Sequence, residues 1–139
     1  MYDDILLPTD GSDGADAALD HAIDLARRYD ATLHVLYVAD TARYSTVTFE
    51  DEVVDVLASG EMAVQEVVER AEADGVTVVD VVEQGDPVRT ILDYVDQYDI
   101  DLVVMPTHGR RGADRLLLGS VTEKVIRAAK VPVFTVQFD

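Results

Sequence analysis

The sequence predicts an α/β fold of the Rossmann-like kind: an open, five-stranded parallel sheet with helices on both faces. Two observations carry that expectation. Short Val/Ile/Leu-rich runs alternate along the chain with segments of helical periodicity, and strands joined by such long crossovers pair in parallel. The runs are also apolar almost throughout, rather than at every second residue, as in strands covered on both faces. At 139 residues the chain reads as one domain, 1–139, large enough for a single core.

Each element has its own signal. Asp4 to Pro8 reads as the first buried strand. Gly14 to Tyr29 follows with Ala15, Ala18, Leu19, Ala22, Ile23, Leu25 and Ala26 at helical spacing. Thr32 to Val38 is rich in strand formers, and Asp40 to Val47 reads as an irregular connection. Phe49 to Ala73 gives a second helical segment with an expected break near Ser59-Gly60; Gly75 ends it, as glycine beyond a helix commonly does. Val76 to Val82 is a third strand. Asp86 and Pro87 open the next helix as cap and first helical residue, with Val88, Ile91, Leu92 and Val95 on one face as far as Tyr98. Asp101 to Met105 is the fourth strand, Val121 to Ala129 the last helix and Val131 to Val136 the last strand. Pro132 points to a strand start or a sheet edge. An uncharged edge such as Val133 to Val136 invites another chain to cover it, so a homodimer through that strand is expected.

Composition narrows the function classes. The chain has no cysteine, which excludes disulfides, thiol catalysis and cysteine-ligated metal. No apolar run approaches the ~20 residues needed to span a bilayer, and the start of the chain lacks the basic stretch of a signal peptide, so a cytoplasmic location is expected. The net charge is −17, from 20 Asp and 8 Glu against nine Arg and only two Lys. Such an Asp-rich, Lys-poor surface resembles the proteins of salt-loving archaea. At molar salt the Debye length shrinks to ~3 Å, and dense carboxylates then repel little. The same charge makes nucleic acid and anionic membranes poor partners.

One segment departs from this acidity. Residues 107–131 hold Arg110, Arg111, Arg115, Lys124, Arg127 and Lys130 against only Asp114 and Glu123, a net charge of +4. The segment follows the fourth strand, carries Gly109 and Gly119, and runs into a helix start at Ser120. A strand, a glycine-bearing loop with arginines and a helix N-terminus are the parts of a phosphate cradle, because the first amides of a helix point outward unpaired. Glycine lets the backbone come close to a ligand. Ser120-Val-Thr-Glu123 reads equally as a capping box, which needs no ligand.

These residues together resemble the universal stress protein family. Ile5-Leu-Leu-Pro-Thr-Asp-Gly-Ser12 is similar to the family's opening strand and loop, and Leu33 to Val38 stands where its second strand should. Gly109, nine residues, then Gly119-Ser120 match most of its nucleotide motif; Gly119 to Val125 and Val131-Pro-Val133 match its C-terminal pattern. The resemblance spans the chain and implies a sheet of order 3-2-1-4-5, a homodimer and, in one branch, ATP binding. It implies further that Pro8, Thr9, Val38 and Met105 line the adenine pocket, and that Asp10 faces the ribose or a phosphate-bound Mg²⁺. Ribose and phosphates fall to the backbone at Gly109, Arg110, Gly119, Ser120 and Val121 with the hydroxyls of Ser120 and Thr122. One position departs from the pattern: Pro106 stands where the ATP-binding branch usually has glycine, three residues before Gly109, and offers no N–H. Asp10 also has a plainer reading, as a turn residue in Asp-Gly-Ser.

The expected function is an ATP-binding stress or regulatory module, with or without slow ATP hydrolysis. Two alternatives stand beside it. One is a dimeric interaction protein whose nucleotide motif is a relic, on the strength of Pro106. The other is a phosphoryl or adenylyl transferase, for which His108 is the only histidine near the loop.

Overall fold

The structure, a computed structural model, describes residues 1–11, 13–40, 50–107 and 119–137. Strands β1 (Asp4–Thr9), β2 (Thr32–Ala39), β3 (Val78–Gln84), β4 (Leu102–Pro106) and β5 (Val133–Val136) alternate with helices α1 (Asp13–Tyr29), α2 (Glu50–Ala73), α3 (Pro87–Gln97) and α4 (Ser120–Ala128). The sheet is parallel throughout, in the order β3-β2-β1-β4-β5. This is the predicted architecture and order. The expected loop over Asp40 to Val47 lies outside the described residues beyond Asp40.

Alternate side chains of each strand enter two cores. Ile5, Leu7, Leu33, Val35 and Val104 pack with Ala18, Leu19, Ala22 and Ile23 of α1 and with Val64, Val68 and Ala71 of α2. Leu6, Leu36, Val103 and Met105 point the other way, against Ile91, Tyr94 and Val95 of α3 and Val125 of α4. The central strands β1, β2 and β4 are thus covered on both faces, which is why their sequences run apolar without alternation.

Three local readings change. α2 runs through Gly60 unbroken. Gly60 is buried against the ring of Tyr37, where a Cβ would stand 2.6 Å from Cε1 and closer still to Cδ1. The glycine serves packing between α2 and β2 rather than a break. Val76, expected to begin β3, instead closes α2: its amide and that of Gly75 donate to Ala71 and Glu72, and the strand starts at Val78. Val131 and Pro132 precede β5 rather than open it. The Pro132 carbonyl accepts from Val103, so the position uses the acceptor that proline keeps and not the donor it lacks. The cap of α3 is as expected, Asp86 accepting from the Arg89 amide at 2.9 Å with Pro87 at the first turn.

The sequence marks His34 only as a residue within the second strand; it proves to be the centre of a buried polar group. Its Nε2 stands 2.9 Å from Asp4 Oδ1 and its Nδ1 2.7 Å from Tyr94 Oη. A carboxylate only accepts, so Nε2 carries the proton, and in the neutral ring Nδ1 accepts from the Tyr94 hydroxyl. Burial pushes the Tyr94 phenol up to about 12, with Tyr98, Glu83 and Asp4 acting in the same direction. The folded state therefore favours the neutral phenol. Its contribution is complete below the ordinary value of 10.0 and is lost as pH rises through about 12. We expect wild type to lose on the order of 2 kcal/mol more than Tyr94→Phe across that interval, read from urea midpoints at stepped pH. Parallel pH profiles of the two proteins would contradict this.

Candidate functional site

In an open parallel sheet the ligand end lies beyond the strand C-termini, at the point where strand order reverses. Here that point is the seam between β1 and β4. β1 ends in Pro8 and Thr9, followed by Asp10; Val38 stands near the end of β2; Met105 and Pro106 end β4. Because β1 lies between β2 and β4, the fold gathers these positions at one end of three adjacent strands. Met105 is buried and Val38 half-buried against the core beneath α3 and α4. They give this end an apolar flank.

The N-terminus of α4 is fastened to the same end. The Gly119 amide donates to the Thr107 carbonyl at 2.6 Å, and the Thr107 amide donates to Val136 of β5 at 2.9 Å. The buried Thr122 hydroxyl donates to the Pro106 carbonyl at 3.0 Å, sixteen positions away. Thr122 is therefore a clamp between α4 and β4, and its hydroxyl is committed.

The helix start differs from a capping box. Gly119 is the N-cap, with φ −63° and ψ 151° and no side chain to bond the helix amides; Ser120 is the first helical residue and is exposed. The Glu123 amide is satisfied by the Gly119 carbonyl at 2.9 Å. The amides of Ser120, Val121 and Thr122 precede the first intrahelical partner, so they form the partially positive end of the helix. The amide of Gly119, expected together with those of Ser120 and Val121 to face a ligand, is instead engaged by the Thr107 carbonyl. The Val121 side chain packs inward, leaving only its backbone toward the site.

At the end of β1, the Thr9 hydroxyl accepts from the Gly11 amide at 3.2 Å, and Gly11 has φ +77°. Thr9 is buried and shapes this turn; only glycine takes the left-handed backbone there freely. Asp10 sits half-buried at the turn, beside the ligand end. Among the described residues no group of three or more His, Asp or Glu could hold a metal ion. Gly109 and Arg110 lie outside the described residues. Sequence reasoning missed Thr107 as the backbone pin, since its role is carried by N–H and C=O groups that every residue type shares.

Fold and site define an open-sheet α/β protein whose ligand end combines an apolar flank with an uncapped helix start. The chain belongs to the universal stress protein family, whose model matches residues 1–137. It is 36% identical to universal stress protein MJ0531 of Methanocaldococcus jannaschii, over 99% of this chain and 83% of that protein. The solved structure of MJ0577, another universal stress protein of the same organism, superposes with a TM-score of 0.90 at 30% identity, covering 100% of this chain and 98% of that one. A universal stress protein solved in complex with cAMP superposes with a TM-score of 0.72 at 26% identity, over 98% and 97% of the two chains. Among the described residues no helix is long and apolar enough to cross a membrane.

Proposed function

We propose that this protein is an adenine-nucleotide-binding stress or regulatory module, with ATP as its ligand. The observation that carries the reading is the α4 N-terminus, uncapped by any side chain and fastened beside the seam where strand order reverses. Phosphate accepts hydrogen bonds and carries negative charge, and a helix start offers unpaired donors and a positive dipole end. The cAMP complex of a family member is consistent with that class of ligand. In this reading Ser120 and Val121 supply backbone amides and Ser120 its hydroxyl, with Gly119 shaping the approach. Gly109 and Arg110 complete the phosphate contacts, and Thr122 holds α4 in place. Pro8, Thr9, Val38 and Met105 border the base, and Asp10 faces the ribose or Mg²⁺ carried by the phosphates. Asp10 is acceptor-only when ionised, which suits either partner.

The test is nucleotide content after purification at high salt, followed by calorimetric titration of ATP with and without Mg²⁺. Retained or titratable ATP supports the reading. A folded protein that binds no adenine nucleotide at millimolar concentration makes the motif a relic. A transferase would have to rely on His108, because His34 is committed to Asp4 and Tyr94 and His21 packs against Phe134.

The proposal includes a homodimer through β5. Its residues Val133 to Val136 are uncharged, with Phe134 40% exposed, whereas the opposite edge strand β3 carries Asp80 and Glu83. Charges on an edge discourage pairing, so the two edges are not equivalent. Sedimentation should give a dimer that Phe134→Asp reduces to monomer. A cytoplasmic setting with molar salt completes the proposal. A composition of 20 Asp and two Lys predicts that the melting temperature rises from dilute buffer to molar KCl, as screening relieves carboxylate repulsion. An unchanged melting temperature contradicts it.

A further inference from the structure

His34, Asp4, Tyr94 and Tyr98 gather where β1 and β2 begin and α3 ends, at the end of the sheet away from the α4 start. The chain has no cysteine and no tryptophan, so its six tyrosines are the side chains that most readily give up an electron. A phenol does so easily only when its proton can leave at the same moment, because the phenol radical cation is a very strong acid. Tyr94 is 2% exposed, and water is a poor recipient for that proton. The base at hand is His34 Nδ1, 2.7 Å from Tyr94 Oη, whose lone pair accepts the hydroxyl while Nε2–H donates to Asp4.

A proton moved to Nδ1 leaves an imidazolium already bonded to the Asp4 carboxylate at 2.9 Å, a charge-assisted pair. Asp4 is fixed for this part: its amide and that of Asp3 donate to the Asp101 carboxylate at 3.0 and 2.9 Å. Glu83 also acts on the phenol and adds to the negative field that favours an imidazolium beside it. A buried redox group further needs a path to the surface. The Tyr98 ring is tilted by 32° to that of Tyr94, with centroids 4.3 Å apart, so the two π-systems touch, and Tyr98 is 44% exposed.

We propose that Tyr94 is a one-electron redox site, with His34 as its proton acceptor and Tyr98 as the relay to solvent. A diffusing free radical takes one electron at Tyr98 and becomes its closed-shell anion. Tyr98 is refilled by an electron from Tyr94, and the Tyr94 hydroxyl proton moves to His34 Nδ1. The products are a neutral Tyr94 phenoxyl radical and a His34 imidazolium held by Asp4. One electron from a solvent reductant such as ascorbate reverses both transfers. The hole rests on Tyr94 because its proton goes to a base backed by a carboxylate, whereas that of the half-exposed Tyr98 would go to water. The assignment is independent of nucleotide binding.

The test oxidises the folded protein with photogenerated ruthenium(III) tris-bipyridine and follows the radical by electron paramagnetic resonance. Wild type should give a tyrosyl radical coupled to one exchangeable proton, that of the imidazolium, and the coupling should vanish after exchange into D₂O. This radical should decay at least about tenfold more slowly than those left on other tyrosines in Tyr94→Phe. Tyr98→Phe should form the same radical at least about tenfold more slowly. His34→Gln should lose the exchangeable coupling and the long lifetime. Identical signals and decays in wild type and Tyr94→Phe overturn the site. A wild-type radical without the coupling overturns the role of His34, and does so even where His34→Gln fails to fold. An unchanged rate of formation in Tyr98→Phe overturns the relay.

Discussion

Gly60→Val should be the most destabilising single substitution considered, costing about 3 kcal/mol or more of folding free energy. Its Cβ would stand 2.6 Å from Tyr37 Cε1, closer to Cδ1, and 3.0 Å from Cγ, so the whole ring would have to move rather than its tip. Neither side has room to give. Tyr37 is 8% exposed within β2, and Val64, Val67, Val68 and Ala71 hold α2 in the core beyond the contact. Gly60→Ala should lose less, because alanine regains about 1 kcal/mol of helix propensity while meeting the same ring. Urea denaturation of the three proteins measures both differences. The consequence reaches the ligand end, since Tyr37 pairs with Thr9 and precedes Val38. A Gly60→Val protein as stable as wild type would mean that α2 can slide away from β2 without loss.

Gly119→Val should weaken ATP binding at least about thirtyfold while leaving the fold in place, a difference of about 2 kcal/mol at 1.4 kcal/mol per tenfold. The N-cap backbone at φ −63° and ψ 151° suits any residue type, and the bond from its amide to Thr107 does not involve a side chain. Replacing glycine at an N-cap costs about 1 kcal/mol of stability, which thermal melts would register separately. The two γ-methyls would stand beside the amides of Ser120 and Val121 and keep an anion from approaching them. Unchanged affinity in a folded variant would place the phosphate away from α4. The substitution separates site from scaffold because the glycine is permissive here rather than required by its backbone angles.

Much of the fold was legible because its signals are local. Continuous apolar runs, the Asp86-Pro87 cap and the helical spacing in Gly14 to Tyr29 all describe interactions within a few residues of one another. The site was legible in part. Gly119-Ser120 and Thr9-Asp10 lie at the C-terminal end of the sheet, where the candidate site was sought, while Ser120 proved to be the first helical residue and not the cap. The reading failed where a residue answers to a distant partner. Gly60 looked like a helix breaker, because nothing nearby in sequence reveals that Tyr37 occupies the space of its missing side chain. His34 looked like one strand residue among others until Asp4 and Tyr94 were brought to its two ring nitrogens.

Pro106 shows the division most clearly. Sequence alone determined that this position has no N–H and that it ends a strand; it also determined the acidic surface, the absence of thiol chemistry and the alternation that makes a parallel sheet. Whether the missing N–H matters depends on which neighbour it would have faced. Tertiary structure decided that, by placing β1 beside β4 so that the two strands pair through Ile5–Leu102 and Leu6–Val103 and no further, short of the prolines near their ends. Register is a relation between strands about a hundred residues apart in the chain, so no local pattern encodes it. It emerges only when helices on both faces bury their apolar sides and hold the strands in place.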